Sequence, residues 1–139
     1  MRTWLLDTGP IVAYLDRNDP AHARVASRLD GFSGRLATTS AVVTEAMHFV
    51  ASARRGPALL ADWVTGTGTE VFDLCRPPEL HEVVALMDKY SDLPMDFADG
   101  TLVLLAEALE TDEVCSLDRR GFSVFRTRAG RALSLVLDA

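Results

Sequence analysis

The chain has 139 residues, 48% of them apolar and 24% charged, with a net charge of −6. This size and composition fit one globular domain over 1–139, and no apolar run approaches the roughly 20 residues of a membrane span. The acidic balance excludes a protein that coats nucleic acid by charge alone, though not an enzyme that meets phosphate through bound cations and a few arginines.

In chain order the pattern alternates strand and helix. Residues 2–6 read as a short apolar strand, and Gly9-Pro10 opens a helix to about Asp16, with proline where a first-turn N–H is not needed. Residues 20–29 form a second helix with Ala21, Val25 and Leu29 on one stripe. A strand at 35–38 is followed by a helix over 41–53, capped by Thr39 or Ser40 and with Val43, Ala46, Met47 and Val50 as its core stripe. A short helix at 57–64 leads to the turn Gly66-Thr67-Gly68, then a strand at 70–74 and a helix at 78–89. Asp96 caps an apolar helix over 97–109. Residues 113–117 are a strand, 118–121 a turn, and 124–125 and 133–137 candidate final strands. Strands alternating with helices predict a three-layer α/β/α sandwich around a mainly parallel sheet of about five strands.

Position distinguishes a few acids from the many that face water. Asp7 follows the first strand and Asp118 the strand at 113–117. If those strands are parallel, both carboxylates leave the same carboxyl edge, where open α/β sheets bind ligands. Each also fits a plain turn or cap. Asp99 is more informative: steps of three and four reach Leu102, Val103, Ala106 and Leu109, so the acid lies on an apolar stripe and points inward. Burying a carboxylate there costs several kcal/mol unless it is paired, protonated or bound to a cation. Capping accounts for Asp96 but poorly for the burial of Asp99. Glu45 lies off its helix's core stripe beside Ala41, Val42 and Phe49, a place that suits a site wall and a solvated glutamate alike.

Converging acids without a basic partner repel one another, and a hard divalent cation such as Mg²⁺ relieves that repulsion. Such an ion polarises a phosphodiester and acidifies an attacking water, so no histidine is required. Glu45-x-x-His48 has the spacing of a di-iron ligand pair, but no second copy exists, and His22 and His81 join no cluster. Phosphate-loop, dinucleotide and serine-elbow motifs are missing, and Asp7-Thr8-Gly9 lacks the second aspartate of an aspartyl-phosphate phosphatase. Cys75 and Cys115 lie in no Cys-x-x-Cys or Cys/His spacing, so neither zinc nor a disulfide framework is expected. Asp7, Pro10 and Asp16 interrupt any signal-peptide core, and the cytoplasm is the expected location.

Four segments together resemble the PIN-domain family, and more narrowly the VapC-type toxin ribonucleases: Leu5 to Ala13, Thr38 to Glu45, Asp96 to Leu102, and Cys115 to Phe122. The resemblance spans essentially the whole chain. It implies that Asp7, Glu45, Asp99 and Asp118 are catalytic carboxylates binding Mg²⁺ or Mn²⁺ to cleave RNA. Asp96 then falls on a position that is often acidic and ligates through water, while Thr8 and Ser116 fall where a hydroxyl supports the site. Gly100 departs from the family's usual alanine. The resemblance further implies a homodimer and a cognate antitoxin whose C-terminal segment occupies the site. Arg54-Arg55 and Arg119-Arg120 fit phosphate contacts as well as solvated surface arginines. Two other readings stay open: a PIN nuclease of RNA processing without an antitoxin, and a PIN-like binding module that has lost catalysis.

Overall fold

The computed structural model describes residues 1–138. Its centre is a five-stranded, all-parallel sheet in the order β3-β2-β1-β4-β5. The strands are β1 (Thr3–Leu6), β2 (Arg35–Thr39), β3 (Glu70–Phe72), β4 (Glu113–Cys115) and β5 (Ser134–Leu135). Trp4, Leu5 and Leu6 of β1 are all buried, as befits a central strand covered on both faces. Its register sets Leu5 beside Ala37 on one side and beside Val114 on the other.

The flanking helices are α1 (Thr8–Leu15), α2 (His22–Asp30), α3 (Ser40–Val50), α4 (Gly56–Thr67), α5 (Pro77–Lys89), α6 (Phe97–Ala108) and α7 (Arg119–Phe122). Local chemistry sets most of their ends. The Thr39 hydroxyl accepts from the Val42 N–H to start α3, and Pro77-Pro78 opens α5. Gly68, at φ 67°, ends α4 in a left-handed conformation that suits glycine.

Winding decides where a ligand can enter. From β1 the chain steps outward through β2 to β3, then returns to the other side of β1 for β4 and β5. The direction of travel reverses between β1 and β4. The crevice at the carboxyl ends of β1 and β4 is the topological switch point.

Several boundaries differ from the sequence reading. The segment 118–121 is not a free turn but begins α7, and 113–117 pairs only to Cys115, beyond which the Ser116 hydroxyl bonds the buried Asp7 carboxylate. No strand forms at 124–125. Phe125 is instead buried from a turn, its ring 5.3 Å from Phe122 and 5.1 Å from Tyr90, and a short apolar pair cannot distinguish these outcomes. The strand at 133–137 shrinks to Ser134–Leu135, followed by a 3₁₀ turn over Val136–Asp138. In α3 the fully buried stripe is Val42, Ala46 and Val50; Val43 and Met47 are only half-buried.

Candidate active site

Asp7 caps α1 directly beyond β1, and its own N–H continues the ladder to the Cys115 carbonyl at 3.0 Å. Its carboxylate is 7% exposed and accepts two hydrogen bonds, from the Thr8 N–H at 2.8 Å and from the Ser116 hydroxyl at 2.7 Å. Ser116, just past β4, also accepts from the Asp118 N–H at 2.9 Å. One buried hydroxyl thus ties the acid of β1 to the acid of β4. Asp118 caps α7 by accepting from the Gly121 N–H at 3.0 Å. A β-carbon at Gly121 would stand 2.5 Å from the other Asp118 oxygen, so glycine is required for this close approach.

At the start of α6 the two aspartates form a reciprocal capping box. Asp96 accepts from the Asp99 N–H at 2.8 Å, and Asp99 accepts from the Asp96 N–H at 3.2 Å. Capping and burial therefore hold together, for Asp99 is only 9% exposed while bonded to the cap. A buried hydroxyl pair, Thr39 and Thr101 at 2.8 Å, locks the start of α3 to α6. Glu45, half-buried one turn into α3, faces the same crevice.

Asp7, Thr8, Glu45, Asp96, Asp99 and Asp118 line one cleft of about 460 Å³. Ser116 stands behind Asp7, completing the set named from the sequence. Asp19 and Phe49 also line the cleft. Asp19 sits in the loop after α1, held by the Ala21 N–H at 2.8 Å; no periodicity or strand end marks it in the sequence. The candidate phosphate contacts divide. Arg119 is paired with Asp138 at 3.1 Å, whereas Arg120 stands beside Asp118 in a small adjoining hollow. Arg54 and Arg55 are exposed, and neither lines the cleft.

The cleft's electrostatics are one-sided. Among the described residues, none of its acids joins a salt bridge, although the chain makes such pairs elsewhere. Burial, aided by the charges of Asp96 and Glu45 and opposed by the bonds from Ser116 and Thr8, pushes Asp7 up to about 6. Burial again, then repulsion from Asp7 and Asp96, pushes Asp99 up to about 8. A larger groove of about 840 Å³ between Leu74, Pro78 and Leu104 has ordinary charge chemistry, since its Glu79, Glu82 and Glu107 are bonded to Arg76 or Arg128.

Among the described residues no three Asp, Glu, His or Cys side chains converge into a ready-made metal cage. Mg²⁺ does not need one, because it retains several waters and takes one or two carboxylates directly. The cleft fits such an ion: its donors are hard oxygens, it lacks a compensating cation, and the buried Thr8 Oγ1 beside Asp7 has no hydrogen-bond partner. His22 does not line the cleft, and its Nδ1 lies 2.8 Å from the Ala13 carbonyl.

A parallel α/β sheet with unpaired acids at its switch point is the architecture of a PIN domain, and the sequence matches that family over residues 4–127: the chain belongs to the PIN-domain family. Among its relatives, Ribonuclease VapC26 of Mycobacterium tuberculosis (strain ATCC 25618 / H37Rv) is 30% identical over 134 residues, covering 95% of this chain and 98% of that protein. The fold is similar to the crystal structure of Mycobacterium tuberculosis VapC20, a Sarcin-Ricin loop cleaving toxin, with a TM-score of 0.75 at 14% identity over 83% of this chain and 89% of the other. It also resembles the structure of FitAB bound to an IR36 DNA fragment, with a TM-score of 0.62 at 18% identity over 96% and 94% of the two chains.

Proposed function

We propose that this chain is a Mg²⁺- or Mn²⁺-dependent endoribonuclease, the toxin of a VapBC-type toxin–antitoxin pair. The observation that carries the reading is the cleft at the β1/β4 switch point, with Asp7 and Asp99 buried in it and, among the described residues, no Lys or Arg in its lining. The 30% identity to a VapC ribonuclease along nearly the full length of both chains supports the same activity. Asp7, Glu45, Asp99 and Asp118 are assigned as catalytic and metal-holding carboxylates, with Asp96 as a further ligand through water. A bound divalent ion would neutralise charge on the phosphodiester and acidify an attacking water. Ser116 fixes the rotamer of Asp7 and the backbone at Asp118, so two ligands keep their separation as substrate binds. The Thr8 hydroxyl, buried and unpartnered, is available to a water or phosphate oxygen in the cleft. Asp99, held inward by α6, supplies negative charge that only a cation or a proton can balance.

The same reading treats 1–139 as a single cytoplasmic PIN-like domain that forms a homodimer and binds a cognate antitoxin. An acidic cleft suits an antitoxin that inserts Arg or Lys. Leu80 and Val84, exposed one turn apart on α5, supply an apolar strip for a dimer contact. Sedimentation of wild type and Val84→Asp tests this, a dimer becoming a monomer in the variant.

The deciding experiment is cleavage of structured RNA with Mg²⁺ or Mn²⁺ by wild type, Asp7→Asn and Asp99→Asn. We expect each variant to lose at least about a hundredfold in kcat, since removing one preorganised charge-stabilising group costs on that order. Undiminished cleavage in both variants would sink the assignment.

A further inference from the structure

Helix α3 reaches two cavities at once. Glu45 and Asp96 line both the acid cleft and a second groove of about 640 Å³, and so form the partition between them. The groove is walled by Ser40, Thr44 and His48 over a floor of Ala41, Phe97 and Ala98. His48, one turn beyond Glu45, is exposed and has no part in the acid cluster. The next residue, Phe49, lies on the other side and lines the acid cleft, 61% exposed. Its ring stands 5.9 Å from His48 at an interplanar angle of 67°. Glu45 is therefore flanked by a ring in each cavity.

A phosphodiester cannot lie over the acids unless the nucleotides on either side of it find room, and these two cavities adjoin at Glu45 and Asp96. Charge decides which part of a nucleotide goes where. The groove contains no Lys or Arg, and its acids are the two of the partition, so it does not attract phosphate. Hydroxyls and an imidazole over an apolar floor suit an unstacked base, whose edge hydrogen-bonds while its face rests on apolar atoms. A solvent-facing phenyl ring likewise offers a stacking platform. Resting on the ribonuclease reading, we propose that α3 is the base-reading element of the site. The base on one side of the cut enters the groove against His48, and the base on the other side stacks on Phe49.

The test incubates wild type, His48→Ala, Phe49→Ala and Phe49→Trp with Mn²⁺ and a pool of single-stranded RNA of randomised sequence, and sequences the cut ends. Expected are a wild-type preference at the nucleotides flanking the cut and its relaxation at one flank in His48→Ala. Phe49→Ala should lower kcat/KM about tenfold with relaxation at the other flank, as loss of one stacked base does, and Phe49→Trp should restore both. All variants should keep the wild-type rise in melting temperature with Mn²⁺, because neither ring is assigned a part in holding the ion. A wild type without flanking preference, or alanine variants that match it, overturns the proposal while leaving the ribonuclease reading intact; the second result would assign the surface to a protein partner. Loss of the Mn²⁺ response in either alanine variant also overturns it, by placing that ring in the metal site. A wild type that cuts structured RNA but not this pool overturns the base-reading proposal alone, and one that cuts neither overturns both readings.

Discussion

Ser116 carries no charge, yet two acids of the cleft depend on it. Its hydroxyl donates to Asp7 and accepts from the Asp118 backbone, and it is 1% exposed, so water cannot replace it. Ser116→Ala should therefore act twice. If Asp7 holds a metal as proposed, a partner behind it is worth about 10- to 100-fold in activity, and we expect a loss of that order in RNA cleavage by steady-state kinetics. The bond from Ser116 also holds Asp7 down against burial; without it the Asp7 carboxyl of the metal-free protein should titrate above its value of about 6, as read by NMR. An unmoved titration would mean that Ser116 does not control Asp7. The two residues are 109 positions apart. Sequence reading selected Asp7 from its place after a strand, but its burial and its tie to Ser116 came from the parallel pairing of β1 with β4.

At the scale of elements, α6 shows how local and tertiary forces divide one helix. Its start is local: Asp96 and Asp99 satisfy each other's backbone N–H groups, and Asp96→Ala should cost about 1 kcal/mol for the lost cap, read by thermal or urea unfolding. Its middle is tertiary. A β-carbon at Gly100 would approach Val83 Cγ1 of α5 to 2.6 Å, which explains glycine where the family resemblance leads one to expect alanine. Alanine would gain roughly 1 kcal/mol in helix propensity but overpack a tight contact, typically at a cost of about 1–3 kcal/mol. Gly100→Ala should thus be neutral to destabilising, whereas Gly100→Ala with Val83→Ala should recover the propensity gain relative to Val83→Ala alone. A clearly stabilised single variant would contradict this packing. Periodicity placed Asp99 inward correctly because α6 is buried along most of its length. In α3 the same method chose Val43 over Val42, since a half-covered helix permits more than one stripe.

For the whole molecule, the acid cleft is a defect in the metal-free fold. Asp7 and Asp99 have folded-state values of about 6 and about 8, above the roughly 3.9 of an unfolded aspartate. Between those limits the folded protein holds more protons than the unfolded chain, so stability falls as pH rises. The contribution is fully present below about pH 4 and lost as pH passes 6 and then 8. Glu70 and Glu113, lowered by Arg35 and Arg2, act oppositely and weaken the fold only in stronger acid. The metal-free melting temperature should therefore be higher near pH 5.5 than at pH 8, and Asp99→Asn should flatten that difference; equal slopes in the two proteins would rule out Asp99 as its source. At pH 8, Mn²⁺ at a hundred times its Kd should add about 2.7 kcal/mol to wild type and markedly less to Asp99→Asn.

The sequence by itself determined the α/β class, the caps at Thr39 and Asp96 and the acids at strand ends and helix starts, because periodicity and capping act over a few residues. Tertiary structure decided what lies far apart in the chain: Asp19 and Phe49 at the cleft, Arg119 drawn to Asp138, β5 reduced to Ser134–Leu135, and Asp99 raised by Asp7. Those outcomes depend on distances through space and on the exclusion of water, which only the packed sheet and its helices set.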